Sequence, residues 1–485
     1  MTGAVLAIDQ GTSGTKAVIA DADDRILAVA EVPLRPDYRP GGVVEQDPLG
    51  LLASVKDACA AALAQAGQPR IAAVALANQG ESVLAWHPTT GEPLSPIVVW
   101  QDGRAEEVCQ LLALEREGIG QQVAELTGLV LDPYFSAPKL AWIRRHLTRD
   151  GVVSTTDSWL IHQLCGRSVT DSATASRSLL TALGTTDYHP LLVDWFGMAG
   201  EQLPEIVAND AVIGETELFG LLPHPVPLAG AIIDQQAALL AQGCLEPGAA
   251  KCTFGTGAFL LANLGSVGLA SQVGLSLSTA WTVDGETTLC ADGQVYTAAS
   301  AVRWLSDIGV ITDAKDLDRL GSEDAHGVRC VPAFAGLAAP WWDSAATCSF
   351  TGLTLSSSRG DLVTALLQGL AAQVAELARL VGHDLGRPLT QLKVDGGLTR
   401  SRRLMQSVAD LAQVEVVVYP SAHATPLGAV ALARKALNPM LGLGEAIVAW
   451  QPQQVFSPNW APERAADFLA SWLAQVESCN PRKVH

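Results

Sequence analysis

The chain has 485 residues, of which 48% are apolar and 17% charged, and 50 acidic against 31 basic side chains give a formal net charge of -19. The composition excludes a disordered tail, and the length exceeds the roughly 250 to 300 residues that one hydrophobic core supports, so two domains are expected. Because an acidic surface repels polyphosphates at long range, no nucleic-acid partner is expected.

Cysteine usage and hydropathy predict a cytoplasmic protein. The nine cysteines are scattered and form no CxxC pair, which is typical of reduced thiols. The first residues lack a basic start and their apolar run soon meets Asp9, so no signal peptide is expected. No stretch approaches about 18 uncharged apolar residues, so no membrane span is predicted.

The first predicted element is a hairpin with a Gly/Thr turn. An apolar strand from Ala4 leads into Asp9-Gln10-Gly11-Thr12-Ser13-Gly14-Thr15, and a second strand follows from Lys16 to Ala20. Glycine lets several backbone N-H groups approach one phosphate, while Asp9 could hold magnesium and Lys16 could add positive charge. For one such loop alone, an ordinary tight hairpin is the commoner interpretation.

Short apolar runs alternate with segments of helical period, such as Leu51 to Ala66 and Asp361 to Leu385, which is typical of an α/β fold. A second Gly/Thr hairpin occurs at Lys251 to Leu264, about one domain length after the first. The recurrence suggests two related domains that face each other. The break at Glu246-Pro247-Gly248 predicts domains at 1–248 and 249–485.

Asp234 follows the apolar run from Leu228 to Ile233 and precedes an Ala/Leu/Gln helix. Ligands bind at such strand ends in open α/β sheets. There a carboxylate could accept the proton of a substrate hydroxyl as its oxygen attacks phosphorus. The alternative is an N-cap aspartate for the following helix, and both roles can hold at once.

A third turn, Asp395-Gly396-Gly397, lies between a predicted strand and a helix that begins near Ser401. Paired glycines at such a turn allow a nucleotide to approach, and the helix N-terminus favours negative charge. A simple glycine turn is the alternative.

Taken in this order, the segments resemble the FGGY carbohydrate kinases, from Ala4 to about Ala436. Asp9-Gln10-Gly11-Thr12 resembles the first phosphate loop of the family, and Tyr134 to His146 fits its first signature throughout. The other matching segments are Gly42 to Pro48, Thr156 to Leu160, Asp171 to Arg177, Asp234 to Gln236, Gly255 to Gly257, Gly336 to Asp343, Asp395 to Gly397 and Thr425 to Ala429. The second signature, Phe350 to Gln368, is matched imperfectly.

The resemblance implies an α/β, actin-like and hexokinase-like (ribonuclease H-like) fold, in which two domains close over ATP and a small polyol or sugar. It implies that Asp234 is the general base and that Asp9 and Asp234 hold Mg²⁺. Family members are often dimers, so a homodimer is possible. The residues that would meet the nucleotide and its phosphates are Gly11, Thr12, Lys16, Gly255, Thr256, Gly257, Arg303, Gly396, Gly397 and Ser401.

Within the family, the local match is closest to glycerol kinases. It implies a set of residues around the substrate, which are Gly80, Glu81, Trp100, Tyr134, Asp234, Gln235 and Phe259. Taken singly, Trp100 and Tyr134 are more often core residues, and Glu81 could be a surface turn residue.

Two departures from glycerol kinases bear on the substrate. Gly80 stands where those enzymes have Arg, so a charged donor worth roughly 1.5 to 3 kcal/mol is missing and the vacated space could admit a longer molecule. A neutral change in a turn is the alternative. Arg303 replaces Gln and looks more like the pentulose and other sugar kinases. The sequence therefore predicts a polyol or ketose of about three to five carbons, with glycerol itself as the alternative.

Two other classes of function remain open at this point. The chain could be an ATP-binding switch of the same superfamily, or a carbohydrate sensor without catalytic activity. The presence of both Asp9 and Asp234 favours the kinase.

Overall fold

The computed structural model of the chain describes residues 3–266, 271, 274–322, 324–343 and 345–478. Strands and helices alternate through most of its N-terminal half. The strands of this half are β1 (Ala4–Gly11), β2 (Gly14–Ala20), β3 (Ile26–Pro33), β4 (Asp37–Arg39), β5 (Val43–Gln46), β6 (Ile71–Asn78), β7 (Val83–Trp86), β8 (Ile97–Val98), β9 (Val152–Thr155), β10 (Val169–Asp171), β11 (Glu205–Val207), β12 (Val212–Thr216) and β13 (Val226–Ile233). The helices are α1 (Pro48–Gln65), α2 (Glu106–Glu115), α3 (Ile119–Thr127), α4 (Ser136–His146), α5 (Thr156–Cys165), α6 (Ser172–Ser176), α7 (Pro190–Trp195) and α8 (Asp234–Ala241).

The C-terminal half again alternates strands and helices. Its strands are β14 (Ala250–Phe254), β15 (Ala258–Gly265), β16 (Ser276–Val283), β17 (Glu286–Val295), β18 (Arg329–Val331), β19 (Ser349–Thr351), β20 (Gln391–Asp395), β21 (Glu415–Val418) and β22 (Gln454–Phe456). Its helices are α9 (Ala299–Asp307), α10 (Asp316–Leu320), α11 (Arg359–Asp384), α12 (Arg402–Ala412), α13 (Ala424–Leu437), α14 (Leu443–Ala446) and α15 (Pro462–Ser478).

Each half is built on a mixed sheet with the same pattern of neighbours. The six-stranded sheet has the order β12-β13-β6-β1-β2-β3, and the seven-stranded sheet has the order β16-β17-β15-β14-β20-β21-β22. In both, the first strand of a hairpin pairs in parallel with a later strand of the same half, as β1 does with β6 and β14 with β20. The predicted two-domain α/β fold with a recurring motif is confirmed. The predicted boundary near residue 248 falls between α8 and β14, and the division of roles between the domains stays a prediction.

Capping explains where the predicted helices begin. The helix predicted from Leu51 starts at Pro48, because the Asp47 side chain accepts from the backbone N-H groups of Leu49 and Gly50. The helix predicted from Asp361 starts two residues earlier, where Ser358 and Asp361 form a capping box.

Among the described helices, none is both long and apolar enough to cross a membrane. The cysteines within the described ranges are free, and Cys479 lies outside those ranges.

A helix of the C-terminal half joins the core of the N-terminal half. α13 packs against α8 and contributes to one apolar cluster with strands β1, β6 and β13. The helices α13 and α8 approach most closely at Gly428, where a Cβ atom would lie 2.0 Å from the carbonyl oxygen of Ala237. This close approach fixes α8, whose first residue is Asp234.

We expect Gly428→Ala to destabilise the fold by about 1 to 3 kcal/mol, because the added methyl group overlaps the backbone of α8. Urea unfolding followed by circular dichroism measures the change. Gly120→Ala is the matched control, since Gly120 is an exposed residue of α3 with nothing within 4 Å of an added Cβ. An unfolding midpoint for Gly428→Ala equal to that of the wild type would contradict the close packing.

Candidate active site

A cavity of about 290 Å³ lies where the Gly/Thr turns of the two halves face each other. It gathers many of the residues that the sequence analysis assigned to phosphate or substrate. The predicted residues that line it are Thr12, Gly80, Glu81, Trp100, Tyr134, Asp234, Gln235, Thr256, Gly257 and Phe259. Sequence reasoning did not assign the remaining lining residues, which are Ser13, Tyr38, Gln101, Arg177, Ile233, Gln236, Asp292 and Tyr296.

The first turn joins β1 to β2 and brings Thr12 and Ser13 to the cavity. The indole Nε1 of Trp100 donates to Thr12 Oγ1 at 2.9 Å, and the Gln46 amide donates to the Thr12 carbonyl at 2.7 Å. These two bonds hold the turn in place. Gly11 and Lys16 flank this turn but do not line the cavity.

The second turn joins β14 to β15 and presents Thr256 and Gly257. A Cβ at Gly257 would lie 2.5 Å from the Val295 carbonyl oxygen, so only glycine fits there. The backbone N-H groups of Ala298 and Ala299, before and at the start of α9, donate to the turn carbonyls at 2.8 and 3.1 Å. Thr256 itself is exposed to the cavity.

Four other predicted nucleotide residues of the C-terminal half do not line the cavity, namely Arg303, Gly396, Gly397 and Ser401. Gly396 has a φ of +97°, and a Cβ there would lie 2.3 Å from the Phe254 carbonyl oxygen. Gly397 and Arg303 are exposed. Ser401 caps α12 and donates to Asp318 Oδ1 at 2.9 Å. The nucleotide roles of all four stay predictions.

Asp234 is the first residue of α8, after the cap residue Ile233, so it does not act as the N-cap. Burial, together with the negative charges of Asp9 and Glu81, raises the pKa of its carboxyl to about 7, against the opposing charge of Lys251. Near neutral pH the Asp234 carboxyl group can therefore both accept and release a proton.

Asp9 lies on β1 opposite Lys16 on β2. Burial raises the pKa of the Asp9 carboxyl to about 6, and the charge of Lys16 opposes that rise. The charge of Asp9 also acts on Asp234, so two carboxylates lie close to each other. Within the described ranges, no group of three or more His, Cys, Asp or Glu side chains forms a metal site.

Glu81 sits on a strained turn. It has a φ of +57°, and the backbone N-H of Ser82 donates to the Gly80 carbonyl at 2.7 Å across it, which is a γ-turn. The Glu81 side chain is only 4% exposed and accepts a hydrogen bond from Arg177 Nε. It is therefore a buried cavity residue, not a surface turn residue.

Aromatic rings form one wall, with the Trp100 and Tyr134 rings 5.4 Å apart. The turn that carries Tyr134 is held by Lys139, whose buried Nζ donates to the carbonyls of Pro133 at 2.8 Å and Phe135 at 2.7 Å. Burial lowers the pKa of Lys139 to about 7, against the opposing charge of Glu81.

Gln235 is oriented by a lysine of the opposite half. Lys251 Nζ donates to Gln235 Oε1 at 2.6 Å and to Thr253 Oγ1 at 2.9 Å, and Thr253 donates to Asp395 at 2.6 Å. Sequence reasoning missed Lys251, because a lysine within a predicted strand gives no sign that it is fully buried.

The space beside Gly80 is not vacant. A Cβ added at Gly80 would lie 2.3 Å from Ile233 Cδ1 and 3.1 Å from Ile233 Cγ1. The expectation that the missing Arg leaves room at this position is therefore wrong, because the side chain of Ile233 occupies it.

Comparisons with known proteins agree with this geometry. Residues 4–241 match the N-terminal domain of the FGGY family of carbohydrate kinases, and residues 250–437 match its C-terminal domain. A glycerol kinase of Thermus brockianus is 38% identical over 487 residues, 98% of each chain, and one of Alkalilimnicola ehrlichii is 38% identical over 98% of this chain and 97% of its own.

Two solved structures share the whole fold. A Plasmodium falciparum glycerol kinase with ADP superposes with a TM-score of 0.91 at 28% identity, over 98% of both chains. A xylulose kinase of Lactobacillus acidophilus superposes with a TM-score of 0.87 at 22% identity, over 98% of this chain and 97% of that one. The chain therefore belongs to the FGGY family of carbohydrate kinases and is an ATP-dependent kinase of a carbohydrate or polyol.

Proposed function

We propose that the chain transfers the γ-phosphoryl group of ATP to one hydroxyl of a small polyol or sugar, with Asp234 as the general base. The supporting observation is that Asp234, with a pKa raised to about 7, lines the same cavity as the two Gly/Thr turns. A base and a phosphate cradle in one closed space are what phosphoryl transfer to an alcohol requires.

In the proposed reaction, the substrate oxygen attacks the γ-phosphorus while Asp234 accepts the hydroxyl proton. The new O-P bond forms as the bond to the bridging oxygen of ADP breaks, and ADP leaves with that electron pair. The hydroxyl and amide groups of Thr12 and Thr256 would hold the phosphates. Closure of the cavity excludes water, which would otherwise compete for the phosphoryl group.

The residues present fit a magnesium ion. Mg²⁺ takes one or two carboxylates together with phosphate oxygens and water, and Asp9 and Asp234 are two neighbouring carboxylates whose repulsion raises the pKa of Asp234. When bound with ATP, Mg²⁺ supplies positive charge that offsets the charge of the phosphates. Lys16, opposite Asp9, would hold further positive charge near the first turn.

For the substrate we propose a polyol or ketose of about three to five carbons, glycerol included. Glu81, Tyr134 and Gln235 would bond its hydroxyl groups, while Trp100 and Phe259 would pack against its carbon chain. The support for glycerol is the 38% identity to proteins named glycerol kinase.

Replacing the proposed base tests the mechanism. We expect Asp234→Asn to lower kcat at least about a hundredfold in a coupled ADP-release assay, because the proton acceptor is lost. Asp57→Asn, on an exposed face of α1, is the matched control and should retain wild-type turnover. Near-normal turnover by Asp234→Asn would exclude it as the base.

The raised pKa values predict an acid limb in the pH profile. Asp234 must be unprotonated to act, so kcat/KM should fall tenfold per pH unit below about 7 and level off above it. Saturation with Mg²⁺ and ATP should move the limb of kcat to lower pH, since a nearby cation favours the carboxylate. A flat profile from pH 8 to pH 5.5, in enzyme that regains full activity on return to pH 8, would contradict the assignment.

The contact between Gly80 and Ile233 predicts a non-additive pair of substitutions. Gly80→Arg alone should lower kcat/KM for every substrate, because its Cβ overlaps Ile233 Cδ1. The double variant Gly80→Arg with Ile233→Ala should recover activity, and it should favour glycerol if the guanidinium then donates to its hydroxyls. Ile233→Ala alone is the control. Equal losses in the single and double variants would show that this contact does not set the pocket.

A further inference from the structure

We propose that Asp292 and Gln236 form a second polar subsite of the cavity, which binds hydroxyl groups of polyols longer than three carbons. The inference rests on the proposed function and concerns which polyol is preferred. It uses residues that the sequence analysis did not assign to the site.

Asp292 has one carboxylate oxygen that receives no hydrogen bond from the described residues. It lies on β17, is 5% exposed and lines the cavity. Its Oδ2 accepts from Arg177 Nη1 at 2.8 Å and from Gln294 Nε2 at 3.2 Å. Among the described residues, no donor reaches Oδ1. A buried carboxylate oxygen without a donor is costly, so a group that enters the cavity is expected to supply one.

Gln236 gives a second, independent acceptor. It is 2% exposed and lines the cavity two residues after the proposed base. Its Nε2 donates to Ser278 Oγ at 3.5 Å, while its Oε1 meets no donor in the described part of the chain. Two unmatched buried acceptors in one cavity call for a ligand that carries several donors, and a polyol has that chemistry.

Arg177 relates this subsite to Glu81. Its guanidinium donates to Glu81 through Nε and to Asp292 through Nη1. Its Cζ atom also lies 5.7 Å from the centre of the Tyr134 ring. Asp292 is therefore one guanidinium group away from Glu81, which would bond a hydroxyl next to the reacting one. A polyol whose carbon chain extends past Glu81 would place its next hydroxyl groups at the second subsite.

The same ion pair could serve only to join the two halves, since Glu81 belongs to the N-terminal half and Asp292 to the C-terminal half. A purely structural role would change the kinetics of short and long substrates alike. A subsite changes their ratio, because a site built to bond a hydroxyl group penalises the lack of that bond.

The test measures kcat/KM for glycerol, erythritol, ribitol and xylitol in wild type and in Asp292→Asn, by coupled ADP release. Asn keeps the shape and can still accept from Arg177, but it replaces the charged acceptor in the cavity by an amide. The ratio of kcat/KM for the best longer polyol to that for glycerol should fall roughly tenfold or more, mainly through KM.

Gln294→Met is the matched control, because Gln294 is buried and bonds the same carboxylate but does not line the cavity. It should leave the ratio unchanged. Gln236→Met removes the second acceptor without touching the ion pair, so it tests the subsite even if Asp292→Asn does not fold, and its ratio should also fall.

Three outcomes would overturn the inference. An unchanged ratio in Asp292→Asn or, if that variant does not fold, in Gln236→Met assigns these residues to structure alone. A wild-type enzyme that phosphorylates glycerol but none of the longer polyols leaves the proposed function intact and removes the subsite. A wild-type enzyme that phosphorylates no polyol or ketose contradicts the proposed function and therefore the subsite as well.

Discussion

The cavity is built around buried carboxyl groups that lie close to one another. Asp9 lies on β1, and Asp234 directly follows β13 of the same sheet. Burial and the charges of Asp9 and Glu81 together raise the pKa of Asp234. A separate cation opposes the pKa rise of each carboxyl group. Lys16 does so for Asp9, Lys251 for Asp234, and Arg177 for Glu81. The site thus contains several acidic groups, in keeping with the acidic net charge of the whole chain. We infer that ATP enters with its own divalent cation.

Duplication of the sheet brings the turns to one place. Each half contains a hairpin with a Gly/Thr turn, and the first strand of that hairpin pairs in parallel with a later strand of the same half. The two turns are therefore equivalent positions of two similar sheets. The halves are held together by α13, which packs into the N-terminal core, and by the Arg177 bridge to Asp292. The base and both turns consequently face one space.

Much of the fold and part of the site could be predicted from the sequence. Apolar runs that end at Asp9, Asp234 and Asp395 marked the strand ends, because glycine turns and helix starts follow them directly. Local patterns of this kind carry their own signal. Burial that results from contacts between distant segments leaves no such local pattern, so the burial of Arg177, Lys251 and Asp292 could not be predicted.

The space beside Gly80 was mispredicted for the same reason. Gly80 and Ile233 are 153 positions apart in the chain, yet a Cβ added at Gly80 would overlap the Ile233 side chain. The two meet because β6 and β13 pair in parallel, Ile233 ends β13, and Gly80 follows shortly after β6. The shape of the cavity therefore depends on pairs of residues from different segments, which a single sequence does not reveal.

We propose that the carboxyl groups of Asp9 and Asp234, whose pKa values are raised, bind Mg²⁺ together with the nucleotide. Calorimetry of the binding of a non-hydrolysable ATP analogue with Mg²⁺, at about pH 6.5 in buffers of different ionisation enthalpy, measures the protons released on binding. The variant Asp9→Asn separates the protons that the nucleotide itself releases. The account predicts proton release by the wild type that is smaller in Asp9→Asn and absent at about pH 8.5, where both carboxyl groups are already ionised. Equal proton release by both proteins at pH 6.5 would contradict it.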